Sequence, residues 1–277
     1  MIEYFYLLGA VILWGTYLVP IKKMKADVRY SQFVVCSGIM AATFFISLLM
    51  GFGMGITLFG LASGMMWGLG NYFSLLAIKK IGISRAFPLW ISSVLVAYAW
   101  GVLLFSEIAG AGIAVGLLGA LMVMGGSIII TKTRKLDEKL KMSGVFFAFI
   151  TALLFGTQFV PYKMSGISPG GYLFQMSLGI FIASAAIFLT KIKVPENRQL
   201  KYGMLAGILW SAANFLGIYV VEFFGVAKSS PLTQTCVIIG VLWGLFYFRE
   251  MGGKEGALRI IAGTLVILTG AILVGLA

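Results

Sequence analysis

Two stretches of the chain repeat one pattern: residues 14–22 read WGTYLVPIK, and residues 155–163 read FGTQFVPYK. They lie 141 positions apart (155 − 14), which is about half of the 277 residues. A pattern that returns after half a chain is typical of an internally duplicated membrane fold. The sequence therefore predicts two homologous halves.

The duplication extends into the hydrophobic runs that follow each copy of this motif. There the offset is constant at 143 positions, and coincidence does not keep so many residue types in register. The glycines recur in pairs four apart, a spacing that lets helix backbones approach closely in lipid. In the first half the repeated residues are Gly60, Gly64, Trp67, Asn71, Gly82, Pro88, Trp100, Gly101 and Glu107, and their counterparts are Gly203, Gly207, Trp210, Asn214, Gly225, Pro231, Trp243, Gly244 and Glu250.

Composition indicates a membrane protein. The chain is 60% hydrophobic and 11% charged, with a mean hydropathy of +1.02, whereas soluble domains are about 45–50% apolar and about 25% charged. The net charge of +12 comes from bases placed between hydrophobic runs, which membrane topology explains better than nucleic-acid binding. The expected partners are the lipid bilayer and a small-molecule substrate, and no nucleic acid.

We expect an all-α integral membrane protein with ten transmembrane helices. Each hydrophobic run has roughly the 17–25 residues that a bilayer requires. Five helices per half is an odd number, so the second half should be inverted relative to the first. The five-helix repeats are expected at 1–131 and 144–277, with a charged cytoplasmic linker at 132–143. The ten runs are 4–21, 31–50, 57–78, 86–105, 111–131, 144–162, 171–190, 203–224, 230–248 and 258–276.

The basic residues predict how the chain lies in the plasma membrane. Nineteen of the 21 Lys and Arg residues fall in the odd-numbered loops, and only Lys163 and Lys228 fall on the opposite side. Cytoplasmic loops carry an excess of Lys and Arg. Both termini are therefore predicted to be extracytoplasmic.

Two matching helix faces carry the most informative polar residues. Trp67 and Asn71 are four residues apart, and Trp210 and Asn214 repeat that face in the second half. An amide in hydrocarbon is costly unless it is paired or faces a wet cavity. An indole ring can stack on the C–H face of a sugar while the amide bonds to its hydroxyls. The pattern fits a shared substrate site, and it also fits asparagines that only link neighbouring helices.

The repeated motif itself contains a second polar patch. Thr16 and Tyr17 in the first copy, and Gln158 in the second, are predicted to bind substrate. Pro20 and Pro161 follow, and each removes a helical hydrogen bond to the carbonyl four residues back. Such breaks line cavities or form gates in membrane proteins. We expect these prolines to act in gating, with a passive kink as the alternative.

Three further residues complete the predicted site. Trp90 in the fourth run and Gln234 in the ninth lie at comparable depth. Glu222 is the only carboxylate placed within the hydrocarbon, which makes it a candidate for ion coupling. The alternative for Glu222 is snorkelling to the interface or a structural pair with Lys228.

The residues contain no pattern for catalysis, metal binding or a cofactor. The chain has no histidine, and Cys36 and Cys236 stand alone in apolar runs. Intramembrane catalysis needs a nucleophile with a base, or a set of metal ligands. A selective channel needs a ring of charged groups or a carbonyl filter. We therefore expect a carrier and not an enzyme, without cofactor or metal, that acts as a monomer or homodimer.

The chain resembles the drug/metabolite transporter superfamily of ten-helix carriers, and its glucose/ribose porter branch in particular. The superfamily resemblance rests on Trp14-Gly15, on the five-plus-five repeat and on two stretches that run from proline to glutamate, 88–107 and 231–250. The branch resemblance rests on GMMWGLGN at 64–71 and AIKKIGISRAFP at 77–88. The resemblance covers nearly the whole chain.

This resemblance implies sugar uptake, with the substrate held between the halves by helices one, three and four and their counterparts. Phe155 departs from the pattern because the first half has Trp14 there, so this aromatic position is not expected to serve both halves alike. Two other carrier functions stay open: export of amino acids or other small metabolites, and flipping of a lipid-linked sugar.

Overall fold

The computed structural model describes residues 1–24, 26–81, 86, 89–131, 142–194, 199–247 and 254–277. The described residues form helices and no strands, which confirms the all-α prediction. Residues 132–141 of the predicted linker, together with Gly82, Pro88 and Glu250, lie outside the described residues. The helices are α1 (Ile2–Thr16), α2 (Leu18–Lys22), α3 (Val28–Leu49), α4 (Leu58–Ile81), α5 (Ser93–Phe105), α6 (Ala111–Thr131), α7 (Met142–Thr157), α8 (Val160–Ser165), α9 (Pro169–Leu189), α10 (Leu200–Thr233), α11 (Cys236–Phe246) and α12 (Lys254–Leu276).

Several of these helices suit a bilayer. Seven stretches of the described chain are long and apolar enough to cross a membrane. Helix α5, with 13 residues, is a shorter apolar helix. The chain is thus a helical protein with several membrane-spanning segments. The seven stretches are Ile2–Ile21, Val28–Leu49, Ala111–Ile129, Met142–Ser165, Pro169–Leu189, Leu200–Gly240 and Leu258–Leu276.

The chain divides into two compact units. The first unit contains Met1–Tyr72 and Thr157–Phe223, and the second unit contains Phe73–Gly156 and Phe224–Ala277. Each unit combines residues from before and after the predicted linker. The compact units therefore do not coincide with the two halves of the sequence.

Two glycines set the helix packing of the first unit. A Cβ on Gly64 of α4 would overlap the backbone of α9 near Ile180, and a Cβ on Gly207 of α10 would overlap the backbone of α3 near Ile39. Helices α3 and α9 also pack against each other. The glycine pairs therefore do what their spacing predicts, because any side chain at these positions would force the backbones apart.

The second unit is built around α6 and α12, which pack closely along their length. Gly119 of α6 faces Gly270 of α12, and Gly126 faces Gly263. Helix α5 packs against α6, and the hydroxyl of Tyr98 donates to the carbonyl oxygen of Ile113 at 2.7 Å. Small residues again bring backbones together, which favours van der Waals packing in lipid.

Two predicted runs are interrupted where the sequence indicated continuous helix. A turn precedes α5, and another turn separates α10 from α11. The hydroxyl of Ser92 donates to the carbonyl oxygen of Leu89 at 2.6 Å, and that of Thr235 donates to the carbonyl oxygen of Leu232 at 2.7 Å. Serine and threonine hydroxyls that bond to nearby carbonyls compete with helical hydrogen bonds. Ser92 and Thr235 are 143 positions apart, and so are Leu89 and Leu232. The interruption of the helix therefore recurs at the repeat offset.

A third break divides α10. The sequence predicted a loop between residues 224 and 230, but only Gly225 leaves the helical conformation, at φ 76° and ψ 174°. The amides that follow a break have no helical partner. The Glu107 carboxylate accepts from the amide of Val226 at 2.9 Å and from that of Ala227 at 2.7 Å. Glu107 therefore caps the second part of α10.

Candidate substrate site

The two repeated tryptophans meet inside the first unit. Trp67 lies on α4 and Trp210 lies on α10, and both are buried. Their ring centroids are 4.3 Å apart, with an angle of 50° between the ring planes. In this conformation the two rings pack against each other. A shared substrate site for them stays a prediction.

Asn71, one turn after Trp67, is half-buried and hydrogen-bonded to α3. Its Nδ2 donates to Oε1 of Gln32 on α3. Gln32 is buried, and its Nε2 donates to the carbonyl oxygen of Gly68 at 3.1 Å and to Sγ of Cys36 at 3.3 Å. A buried network whose donors and acceptors are used stabilises one arrangement of its side chains. Asn71 is thus tied to α3.

Asn214, one turn after Trp210, keeps an unused acceptor. It is 1% exposed, and its Nδ2 donates to Sδ of Met176 at 3.5 Å. A thioether is only a weak acceptor. Oδ1 of Asn214 is buried and has no hydrogen-bond donor among the described residues. Leaving such a group unpaired costs about 1–3 kcal/mol, and a ligand hydroxyl would supply the missing donor.

Gln158 adds a second unused acceptor near Trp67. It lies between α7 and α8, and its backbone oxygen accepts a hydrogen bond from the hydroxyl of Ser63 on α4. Ser63 is one helical turn before Trp67, so Gln158 lies close to that tryptophan along α4. Oε1 of Gln158 is buried and also has no donor within the described chain.

The repeated motif breaks the helix in both copies. Helix α1 ends at Thr16, whose hydroxyl donates to the carbonyl oxygen of Ile12 at 2.7 Å, and Tyr17 forms the turn before α2. Pro20 in α2 and Pro161 in α8 are buried. Each proline thus follows a break, as its missing N–H predicts. A gating role for the prolines stays a prediction.

The remaining two residues of the predicted binding set lie in the second unit. Trp90 packs on a buried cluster that includes Ala77 and Ala148. Gln234 is half-buried in the turn between α10 and α11. Ten of the twelve residues predicted for binding, coupling or gating thus belong to the first unit. Among the described residues, no group of three or more His, Cys, Asp or Glu side chains could hold a metal ion.

Glu222 of α10 has a tyrosine as its partner. The hydroxyl of Tyr162 donates to Oε2 of Glu222 at 2.7 Å. This bond ties the exposed Glu222 to α8. Ion coupling and snorkelling stay predictions. The pair lines a cavity of about 300 Å³.

Sequence reasoning missed Gln32, Gln175 and Tyr162. Gln32 and Gln175 are 143 positions apart, which is the repeat offset. A search for all polar residues that recur at this offset would have found both glutamines. No comparable signal exists for Tyr162, because the first copy of the motif has Ile21 at that place.

Comparison with known proteins identifies the family. The sequence model of the family described as sugar transport protein matches residues 6–277. The chain belongs to the sugar transport protein family. The glucose uptake protein GlcU of Bacillus subtilis (strain 168) is 26% identical over 230 residues, covering 80% of this chain and 79% of that protein. A Bacillus cereus protein (strain ATCC 10987 / NRS 248) named for sugar uptake is 26% identical over 279 residues, covering 96% of this chain and 95% of that protein.

The fold of this sugar transport family member is also found in a solved structure. A crystal structure matches it with a TM-score of 0.77, covering 99% of this chain and 96% of the other at 15% sequence identity. At that identity the likeness concerns the fold alone. Family membership and the apolar helices together make the chain a multi-pass membrane protein of sugar transport.

Proposed function

We propose that this chain is a secondary-type carrier that takes up a monosaccharide by alternating access. In this proposal, ten transmembrane helices form two inverted five-helix repeats, and both termini are extracytoplasmic. The stretch Leu200–Gly240 supports the higher helix number. It has 41 residues and a break at Gly225, whereas one crossing needs about 20 residues.

The unpaired Oδ1 of Asn214 is the observation that carries the proposal. A buried acceptor without a donor is costly in the free protein, and sugar hydroxyls are donors. The acceptor is on the residue one turn after Trp210, which packs on Trp67, and indole faces suit the C–H surfaces of a sugar ring. Substrate binding requires the two rings to part, and alternating access supplies such a rearrangement.

Two further features support a sugar as the substrate. Gln158 offers a second buried acceptor near Trp67, and several hydroxyls on one ligand can serve several acceptors. The relatives named for glucose and sugar uptake match most of the chain. A monosaccharide combines these hydroxyls with an apolar ring face.

Reconstituted protein tests the proposal. Proteoliposomes that contain the wild-type chain should take up labelled glucose, and unlabelled free monosaccharides should compete. The same sugars should raise the melting temperature of the purified protein, because a ligand that binds only the native state stabilises it. Competition by amino acids or hydrophobic cations would indicate an exporter of other metabolites, and competition by lipid-linked glycans would indicate a flippase.

A further inference from the structure

A small cavity lies beside α8, apart from the tryptophan pair. Helix α8 ends at Ser165, and the φ of 64° at Gly166 turns the chain sharply before α9 begins. The cavity has a volume of about 300 Å³. Ligand pockets range from about 300 to 1,000 Å³, so this one has room for a single small ring. Its lining consists of Tyr162, Lys163, Gly166, Ile167, Ser168 and Glu222.

The lining suits a neutral ligand with several hydroxyl groups. Glu222 contributes a carboxylate and Lys163 an ammonium group, so the two formal charges cancel. A hydroxyl can donate to the carboxylate and can also accept from an ammonium group. Ser168 adds a hydroxyl, and Ile167 adds an apolar surface for C–H groups. An ion of either sign would meet a like charge here, whereas a sugar would not.

The exposed Glu222 carboxylate accepts a hydrogen bond from a tyrosine that is itself well packed. Tyr162 donates to Glu222 at 2.7 Å and is 2% exposed. Its ring packs edge-on against the ring of Tyr172, with the centroids 4.8 Å apart. The hydroxyl of Tyr172 in turn donates to the carbonyl oxygen of Phe59 at 2.9 Å. Side chains that are already ordered lose little freedom when a ligand binds.

We propose that this cavity is a second monosaccharide site, which holds the sugar before it reaches Asn214. The distribution of basic residues predicts that Lys163 is extracytoplasmic, which is the side from which an uptake carrier receives its substrate. The second site rests on the proposed sugar uptake function. It gives Glu222 and Tyr162 a role in the affinity for external sugar.

Two substitutions test the second site in proteoliposomes supplied with labelled glucose. Glu222→Gln keeps the size of the side chain and removes its charge, and Tyr162→Phe keeps the ring and removes the hydroxyl. Loss of a charge-assisted hydrogen bond should raise KM for glucose about tenfold in Glu222→Gln, with Vmax unchanged. Tyr162→Phe should raise KM by about threefold, because the carboxylate loses its fixed partner. Glu3→Gln is the matched control, since the partner of Glu3 is the N-terminal ammonium group.

Glucose counterflow needs no ion gradient. It therefore distinguishes sugar binding by Glu222 from ion coupling by Glu222. A raised KM in counterflow supports the second site. If Glu222→Gln lowers only gradient-driven accumulation and leaves the counterflow KM at the wild-type value, Glu222 couples ions and the second site is wrong. An unchanged KM in both variants, with normal wild-type uptake, also overturns the second site alone. Absence of wild-type glucose uptake would instead reject the proposed function. If Glu222→Gln does not fold, the counterflow KM of Tyr162→Phe decides whether the second site exists.

Discussion

The two glutamine–asparagine pairs of the first unit share their spacing and differ in their bonds. Gln32 and Asn71 are hydrogen-bonded across a separation of 39 residues, and Gln175 and Asn214 have the same separation. In the second pair, however, Oε1 of Gln175 accepts from Thr57, and Oδ1 of Asn214 has no donor in the described structure. A residue that recurs in sequence therefore need not repeat its role.

The cause of this difference lies outside both pairs. Thr57 precedes α4 and offers Gln175 its backbone amide at 3.1 Å and its hydroxyl. At the repeat offset of 143, the counterpart of Thr57 is Leu200, which has no hydroxyl. Among the described residues no such donor competes for Oε1 of Gln32, which accepts from Nδ2 of Asn71. The two glutamines thus differ in the donor that their Oε1 atoms accept from, which is Thr57 for Gln175 and Nδ2 of Asn71 for Gln32.

The largest expected effect comes from replacing Asn214 with leucine. Asn214→Leu removes the acceptor proposed for the sugar and should lower glucose uptake about 10- to 100-fold, because a buried sugar hydroxyl would be left unpaired. Its melting temperature should stay the same or rise, since an unsatisfied buried group disappears. Uptake in proteoliposomes and thermal unfolding measure the two effects.

Asn71→Leu is the matched control for this change, and it should affect the melting temperature in the opposite direction. It leaves Oε1 of Gln32 buried without its donor, which should cost about 1–3 kcal/mol and lower the melting temperature. Equal losses of stability in the two leucine variants would contradict the contrast between the pairs. Near-normal uptake by Asn214→Leu would remove Asn214 from the substrate site.

The sequence alone predicted which residues recur in the two halves, but not which side chains they bond to. The offset of 143 was enough to single out Trp67 and Trp210 as matching residues, and the glycine spacing indicated close helix packing. The sequence could not predict that Gln32 bonds to Asn71, since hydrogen-bond partners depend on which side chains compete at close range. Nor could it predict that Tyr162 would hold Glu222, because that contact has no counterpart in the first half.

The contacts of Gly64 and Gly207 are alike in the two halves. They can therefore be compared with the two glutamine–asparagine pairs, whose hydrogen bonds differ. Gly64→Ala and Gly207→Ala each place a methyl group against the backbone of a neighbouring helix. Each should destabilise the protein by about 1–3 kcal/mol, the usual cost of overpacking. We expect the two losses in thermal unfolding to be similar, because the two contacts are alike. Gly275→Ala is a suitable control, since a Cβ there meets no atom within 4 Å. A large loss in only one of the two variants would show that the asymmetry extends beyond the amides to the helix packing.

The smallest expected effect tests why the two amide pairs differ. Thr57→Val keeps the shape of the side chain and removes the hydroxyl that donates to Gln175, while the backbone amide remains. The weakened hold on Gln175 should let its Oε1 accept from Nδ2 of Asn214, as Oε1 of Gln32 accepts from Nδ2 of Asn71. This bond would pull the Asn214 amide away from the position proposed for sugar binding. KM for glucose should rise about threefold, in keeping with the modest net value of one neutral hydrogen bond. Thr57→Ser retains the hydroxyl and should keep the wild-type KM. If Thr57→Val also keeps the wild-type KM, the position of the Asn214 amide does not depend on Thr57.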